Sequence, residues 1–318
     1  SLLESGCEFC GACIDVCPTG ALVEREHKWA KAVKTVTSIC PHCPVGCQMK
    51  LEVDRTNKLI RTTPDIHAPA NQGQVCYKGK FGLDFVNSKE RIKKPLVRVG
   101  GVLKDNSVDD ALDLVAKRQK DYLGDQFALI VSSRGTNEDG YIAQKFARNV
   151  MKSNNIDISS NLSPELVKPL GETLGYHAAT NPIWQLAFSE CFLIVSSNIT
   201  EEQNVAAVPI KKAVGQGASL VVIDPRETEL TRYANIWLRP KPGSEGILVG
   251  GIIHVIFEES LDDHDFLVDN CDGLQEFKNG QWQFDLVKVS KLTGVGQQEI
   301  RAAARMFAKG KSAAILYA

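Results

Sequence analysis

Eight of the ten cysteines in this 318-residue chain fall within its first 76 positions, in two runs with gaps of two and three residues. No other feature constrains the fold as much. Thiols so closely spaced converge on a common point, and the backbone around them must fold about whatever they hold. Ten cysteines are too few for a disulfide-stapled scaffold of this length, so the clustering reads as metal ligation. Cys191 and Cys271, far from both runs, read as small hydrophobic residues in a core.

The first run, Cys7-x2-Cys10-x2-Cys13-x3-Cys17-Pro18, has the bacterial ferredoxin spacing for a cubane cluster of four irons and four sulfides (4Fe-4S). One tight loop can then present three thiolates while its amides face the sulfides, and Gly11 and Gly20 supply the backbone freedom. Zinc modules bring their ligands as two separated pairs, which this run does not. In two-cluster ferredoxins the Cys before Pro serves the neighbouring cluster. The chain offers no partner motif for Cys17 and no obvious fourth ligand for Cys7, Cys10 and Cys13. The expectation is a partial ferredoxin segment whose other half lies upstream.

The second run is Cys40-x2-Cys43-x3-Cys47, with Cys76 following after 28 residues. Three thiolates on one loop and one from a distance suit a second cubane. Alternating Met49, Leu51 and Val53, then Leu59 and Ile60, predict a β-hairpin that returns the chain to the cluster. His42 lies inside the loop and could be a ligand, but a place beside the cluster or an exposed one is expected, since four thiolates already saturate it.

The strings CPHCPVGC and VCYKGKFGLDF, with the gap between them, resemble the iron-sulfur domain of molybdopterin oxidoreductases, above all the large (alpha) subunit of formate dehydrogenase. CGACIDVCPTGAL is similar to the ferredoxin segment of soluble formate dehydrogenases and of the large iron-sulfur subunit of NADH dehydrogenase. The resemblance implies that Lys78 bridges the cluster and a pterin. It also implies three segments: a partial ferredoxin-type segment at 1–34, a small β-rich 4Fe-4S domain at 35–95, and an α/β domain with a parallel sheet at 96–318, incomplete at its end.

Beyond Pro95 the pattern is that of a parallel sheet covered on both faces. Ser107 caps an amphipathic helix near 109–123, and further helices are expected at 138–152, 206–217 with Pro209 in or near its first turn, and from about Glu245 and Gln297. Strands are expected at 127–133 (buried), 192–197, 219–224 and 313–317. In such sheets ligands bind beyond the carboxyl ends of the strands. There stand Ser132-Ser133-Arg134-Gly135-Thr136-Asn137, Ser196-Ser197-Asn198 and Asp224-Pro225-Arg226, followed by Lys241-Pro242-Gly243-Ser244-Glu245 at a helix start. Similar strings in molybdopterin oxidoreductases cradle a pterin guanine dinucleotide. By resemblance, Arg134, Asn137, Asn198, Asp224, Arg226, Gly243 and Glu245 are the candidate residues for it. No GxGxxG string opens a helix after a strand, so NAD binding by this chain is not expected.

Two departures stand against the resemblance. Formate dehydrogenases place Cys or selenocysteine, then His, just after an NNxD string; here Asn154-Asn155-Ile156-Asp157 is followed by neither, and His177 lies too far along. Asp157 or Ser163 could supply an oxygen ligand, although turn and cap roles suit both. The resemblance also covers only about half of a full family member, so either more chain follows or the pterin site has been lost.

The reading preferred from the sequence is an electron-transfer subunit of a multi-subunit complex. Its iron-sulfur clusters would pass electrons between a flavin- or NADH-binding iron-sulfur subunit, a ferredoxin or a hydrogenase and another redox subunit. The alternative is a catalytic subunit that oxidises formate or reduces carbon dioxide at molybdenum or tungsten held by molybdopterin guanine dinucleotide. A zinc-stabilised interaction module fits the spacings least. Thirty-seven basic against 38 acidic residues give no reason to expect nucleic acid as a partner. The longest apolar stretch, Gly246 to Phe257, is short of the ~20 residues that cross a bilayer. Oxygen-sensitive clusters and a start unlike a secretory signal suggest the cytoplasm.

Overall fold

The computed structural model describes residues 7–159, 164–176 and 178–317, with backbone alone at 164–167. The chain divides into two compact units, Ser1–Ala179 and Thr180–Ala318.

In the first unit β1 (Lys34–Ile39), β2 (Gln48–Val53) and β3 (Leu59–Pro64) form an antiparallel sheet in that order. The expected hairpin is β2–β3, and Asp54 turns it by accepting the amides of Thr56 and Lys58 at 2.8 and 3.0 Å. The unforeseen strand is β1. Its pairing runs to Ile39 opposite Gln48, so the three-cysteine loop becomes the β1–β2 connection, closed by the Cys40 amide donating to the Cys47 carbonyl at 2.8 Å.

A second hairpin, β4 (Leu96–Val99) and β5 (Val102–Asp105), turns at Gly100-Gly101, both with positive φ as a tight two-residue hairpin turn requires. Ser107 then caps the helix Val108–Gln119 through the Asp110 amide, as expected. The strand expected to be buried at 127–133 is shorter, β6 (Leu129–Val131), and pairs in parallel with β7 (Ile156–Ile158). Ile130 is 74% exposed. Within this unit the pair is packed on one face, where Phe127 meets Phe146 of the helix Asn137–Asn149 edge to face at 6.1 Å.

In the second unit β8 (Cys191–Val195), β9 (Ser219–Ile223), β10 (Ile236–Leu238) and β11 (Ala313–Tyr317) form a parallel sheet in the order β10-β9-β8-β11. Leu193, Val221, Ile223 and Leu238 join one core with the helices Glu245–Glu258, Leu286–Thr293 and Gln297–Ala308. Strand alternation sends Phe192, Ile194, Leu220 and Val222 to the other face, where all are fully buried. The β8–β9 crossover carries the helix Asn204–Gly215. It starts two residues before the expected point, so Pro209 falls in its second turn. Cys191 is buried as expected; Cys271 is exposed, because it closes a short surface helix, His264–Asn270, that contributes no core residue. Among the described residues no helix is long and apolar enough to cross a membrane.

The helix Glu245–Glu258 approaches its neighbours through Gly250 and Gly251. A Cβ on Gly250 would lie 2.5 Å from the Phe284 ring, and one on Gly251 would lie 2.8 Å from Val289. Gly250→Ala therefore lowers stability by about 1–3 kcal/mol despite alanine's better helix propensity. Thermal unfolding checks this, and an unchanged or raised midpoint would mean that the contact is not tight.

Candidate metal centre and strand-end site

The second cysteine run is assembled by the sheet. Cys40 and Cys47 face each other across the β1–β2 end, Cys43 sits on the loop between them, and Cys76 opens the short helix Tyr77–Phe81. Cys40, Cys47 and Cys76 are buried and Cys43 partly so; all four are free thiols. Burial raises the pKa of Cys40, Cys43 and Cys47, and their like-charged neighbours add to it; Cys47 is pushed up to about 12. Only Lys78 pulls the other way among the side chains acting on Cys43, which puts its ammonium close to this centre.

Close packing completes the site. A Cβ on Gly79 would lie 2.7 Å from Val75, 3.2 Å from the Met49 sulfur and 3.4 Å from the Cys40 sulfur. Asn71, fully buried, accepts the Gln48 amide at 2.9 Å and donates to the carbonyls of Gln48 and Gln74 at 3.2 and 2.8 Å. It thus ties the chain just after Cys47 to the chain just before Cys76. His42 approaches the Gly82 carbonyl at 3.2 Å and packs edge to face with Phe85.

The donor chemistry, four free thiols on one loop and the helix start it meets, suits an iron-sulfur cluster. Thiols held protonated by burial and mutual repulsion ionise together only around a cationic centre. A tetrahedral zinc ion with Zn–S bonds of ~2.3 Å needs its sulfurs about 3.8 Å apart. Among the described residues, no three cysteine sulfurs lie within 4.8 Å of one another; the trio that does meet that limit is Glu26, His27 and Asp84.

In the first run Gly11 and Gly20 take positive φ, as that tight loop requires. The Phe9 amide donates to the Cys7 sulfur at 3.4 Å, and the Leu22 amide to the Cys17 sulfur at 3.5 Å. The Leu22 amide and then the Thr19 hydroxyl lower the Cys17 pKa to about 7. Cys7, Cys10, Cys13 and Cys17 are all free and reach the surface to differing degrees.

In the second unit the polar strings gather at one edge, beyond the carboxyl ends of the adjacent strands β8, β9 and β10. Asn198 follows β8 and accepts the Thr200 hydroxyl at 3.2 Å. Asp224, buried at the end of β9, accepts the Arg226 amide at 2.8 Å and its guanidinium at 3.3 Å. This pairing raises the Arg226 pKa and occupies the carboxylate that the sequence suggested for a ribose or guanine. Gly243, at φ +83°, makes the turn before Ser244, whose hydroxyl bonds the Lys241 carbonyl at 2.6 Å. The Glu245–Glu258 helix therefore starts without a side-chain cap, with its first amides open to an anion. A phosphate-bearing nucleotide fits this edge.

Arg134 and Asn137 lie in the first unit, in the exposed turn between β6 and the helix Asn137–Asn149, which Thr136 and Asp139 close with a capping box. Asp157 is on β7, exposed, with a carboxylate oxygen accepting the Ile158 amide at 2.8 Å. Ser163 and His177 lie outside the described residues. Sequence reasoning passed over Asn71, Gly79 and Lys80. Gly79 and Lys80 sit inside the very string that carried the resemblance, while Asn71 has no local signal.

A cysteine-bearing antiparallel sheet followed in the chain by a parallel α/β domain defines the class: a mixed α/β protein with an N-terminal iron-sulfur segment. The molybdopterin oxidoreductase model matches residues 91–312, the molybdopterin oxidoreductase Fe4S4 domain residues 33–88, and the 4Fe-4S binding domain residues 3–23. The chain belongs to the molybdopterin oxidoreductase family. It is 37% identical over 89% of its length to the F420-dependent formate dehydrogenase 2 subunit alpha of Methanococcus maripaludis, and 36% identical over 90% to formate dehydrogenase H of Escherichia coli. The NADPH-Fe(3+) oxidoreductase subunit alpha of Geobacter sulfurreducens is 30% identical over 98% of this chain. Acetylene hydratase from Pelobacter acetylenicus superposes with a TM-score of 0.72 at 26% identity, covering 90% of this chain and 40% of its own. The chain spans 42%, 41% and 37% of the three curated relatives.

In protein freed of iron, iodoacetamide should modify Cys17 with a pH profile centred near 7, while Cys47 stays inert until far more alkaline pH. Peptide mass spectrometry across a pH series reads both. Equal reactivity of the two thiols at pH 7 would contradict the geometry described.

Proposed function

We propose that this chain supplies the iron-sulfur and pterin-binding part of a catalytic subunit that oxidises formate or reduces carbon dioxide. The observation that carries this reading is the 36–37% identity to two formate dehydrogenase sequences along nine-tenths of the chain. The pure relay reading preferred from the sequence receives less support from these relatives than the catalytic alternative. What still favours the relay is the NNID string, followed by neither Cys nor His.

A molybdopterin guanine dinucleotide, when bound, supplies molybdenum or tungsten as the two-electron centre. Asn198, Arg226, Gly243 and Glu245 would hold its nucleotide, with Asp224 orienting Arg226 rather than touching the ligand. Lys78, beside Cys43, would stand between the pterin and the cluster. Cys40, Cys43, Cys47 and Cys76 hold one cubane in this reading, and Cys7, Cys10, Cys13 and Cys17 serve the ferredoxin-type cluster or clusters. Asp157 or Ser163 would take the place of the missing thiol ligand. The three segments 1–34, 35–95 and 96–318 then divide the work into electron exit, cluster-to-pterin contact and nucleotide binding. Electrons leave toward another redox subunit: a flavin- or NADH-binding iron-sulfur protein, a ferredoxin or a hydrogenase.

Elemental analysis of the full-length protein, isolated without oxygen, separates the two readings. The catalytic reading predicts about one molybdenum or tungsten per chain alongside iron, together with formate-dependent reduction of a viologen dye. Iron and sulfide without either metal would return the relay.

A further inference from the structure

We propose that Lys80 is a positioning residue that clamps the first cysteine run to the second and so fixes the gap an electron crosses between them. The proposal rests on the reading that both runs hold iron-sulfur clusters. Lys80 lies on the short helix that Cys76 opens, its amide donating to the Cys76 carbonyl at 2.9 Å. Its side chain is 0% exposed. The ammonium meets Asp15 at 2.7 Å, Glu24 at 2.9 Å and the Thr62 carbonyl at 2.8 Å.

The ammonium thus lies among three oxygens: the Thr62 carbonyl of β3, the Asp15 carboxylate inside the first run and the Glu24 carboxylate past its end. Asp15 stands between Cys13 and Cys17, and Glu24 lies seven residues after Cys17. The aliphatic stem is enclosed as well. A Cβ on Gly11, between Cys10 and Cys13, would fall 2.9 Å from Lys80 Cγ and 3.0 Å from the Phe81 ring. The Thr62 hydroxyl contacts the carbonyls of Gly79 and Lys80 at 2.9 and 2.6 Å and secures the helix from below.

Lysine is almost never fully buried unless paired, and a buried ion pair adds little stability over an apolar contact of the same size. What it adds is register: an ammonium between two carboxylates accepts one arrangement, where a greasy patch would accept several. Electron tunnelling falls exponentially with distance, so a fixed arrangement is the property a relay between two clusters needs. Glu24 Oε1 is buried without a hydrogen bond of good geometry, and its charge lies against the Lys80 ammonium.

The test uses the full-length protein with Lys80→Met and, separately, with Asp15→Asn/Glu24→Gln, which leaves residues 33–88 untouched should the first variant fail to fold. Hydrogen exchange of residues 11–24 should quicken by on the order of a hundredfold, as expected when a buried pair loses one side. In EPR of the fully reduced protein, the cluster of the second run should keep its integrated intensity while its magnetic coupling to the first-run cluster weakens. Both clusters present with coupling and exchange unchanged in both variants would overturn the clamp and leave the cluster reading standing. A wild-type protein with no cluster signal would overturn the cluster reading and the proposal with it.

Discussion

Thiols crowded into a buried loop repel one another once ionised and lose the water that would stabilise their charge. Cys40, Cys43 and Cys47 are held above the ordinary thiol pKa for these two reasons. Left alone, such an arrangement is a poor use of three thiols, and it becomes favourable when a cationic iron-sulfur group sits among them. The surroundings are built to keep the thiols there: the β1–β2 pairing closes the loop, Asn71 ties its end to the approach of Cys76, and Gly79 leaves no bulk near Cys40. Lys78 and Lys80 leave this same short helix; the first acts electrostatically on Cys43, and the second meets the carboxylates of Asp15 and Glu24.

The second unit solves a different problem. Its strands β8 and β9 are apolar on both faces because helices cover both, and polar residues come in at their ends. Three adjacent strands deliver Asn198, Arg226 and the Gly243 turn to one edge, and the uncapped helix at Glu245 adds its amides. Chemistry and scaffold are thus separated: buried apolar strands fix positions, and short polar connections form the edge proposed for the nucleotide.

Local chemistry made much of this legible in the sequence. The cysteine spacings located both runs, alternation located the β2–β3 hairpin, Ser107 announced a cap, and the helices from Glu245 and Gln297 begin where expected. Strands β7 and β10 escaped because three residues carry no usable period, and β1 because its KTVTSI string is mostly exposed. The Gly100-Gly101 turn was readable and was passed over. Long-range pairings were not readable: nothing near Lys80 names Asp15 or Glu24, and nothing near Asn71 names Gln48. At Asp224 the sequence located the residue at the strand end, but its nearest partner is Arg226, two positions away. Cys271 illustrates the limit of composition, since a cysteine's usual burial says nothing about the surface helix that carries it.

The arrangement stands or falls on the four thiols of the second run. Low-temperature EPR of the dithionite-reduced full-length protein, compared with Cys43→Ser and Cys47→Ser, addresses them directly. Each substitution should abolish one cubane signal and leave any others intact. A spectrum unchanged by both substitutions would contradict the assignment.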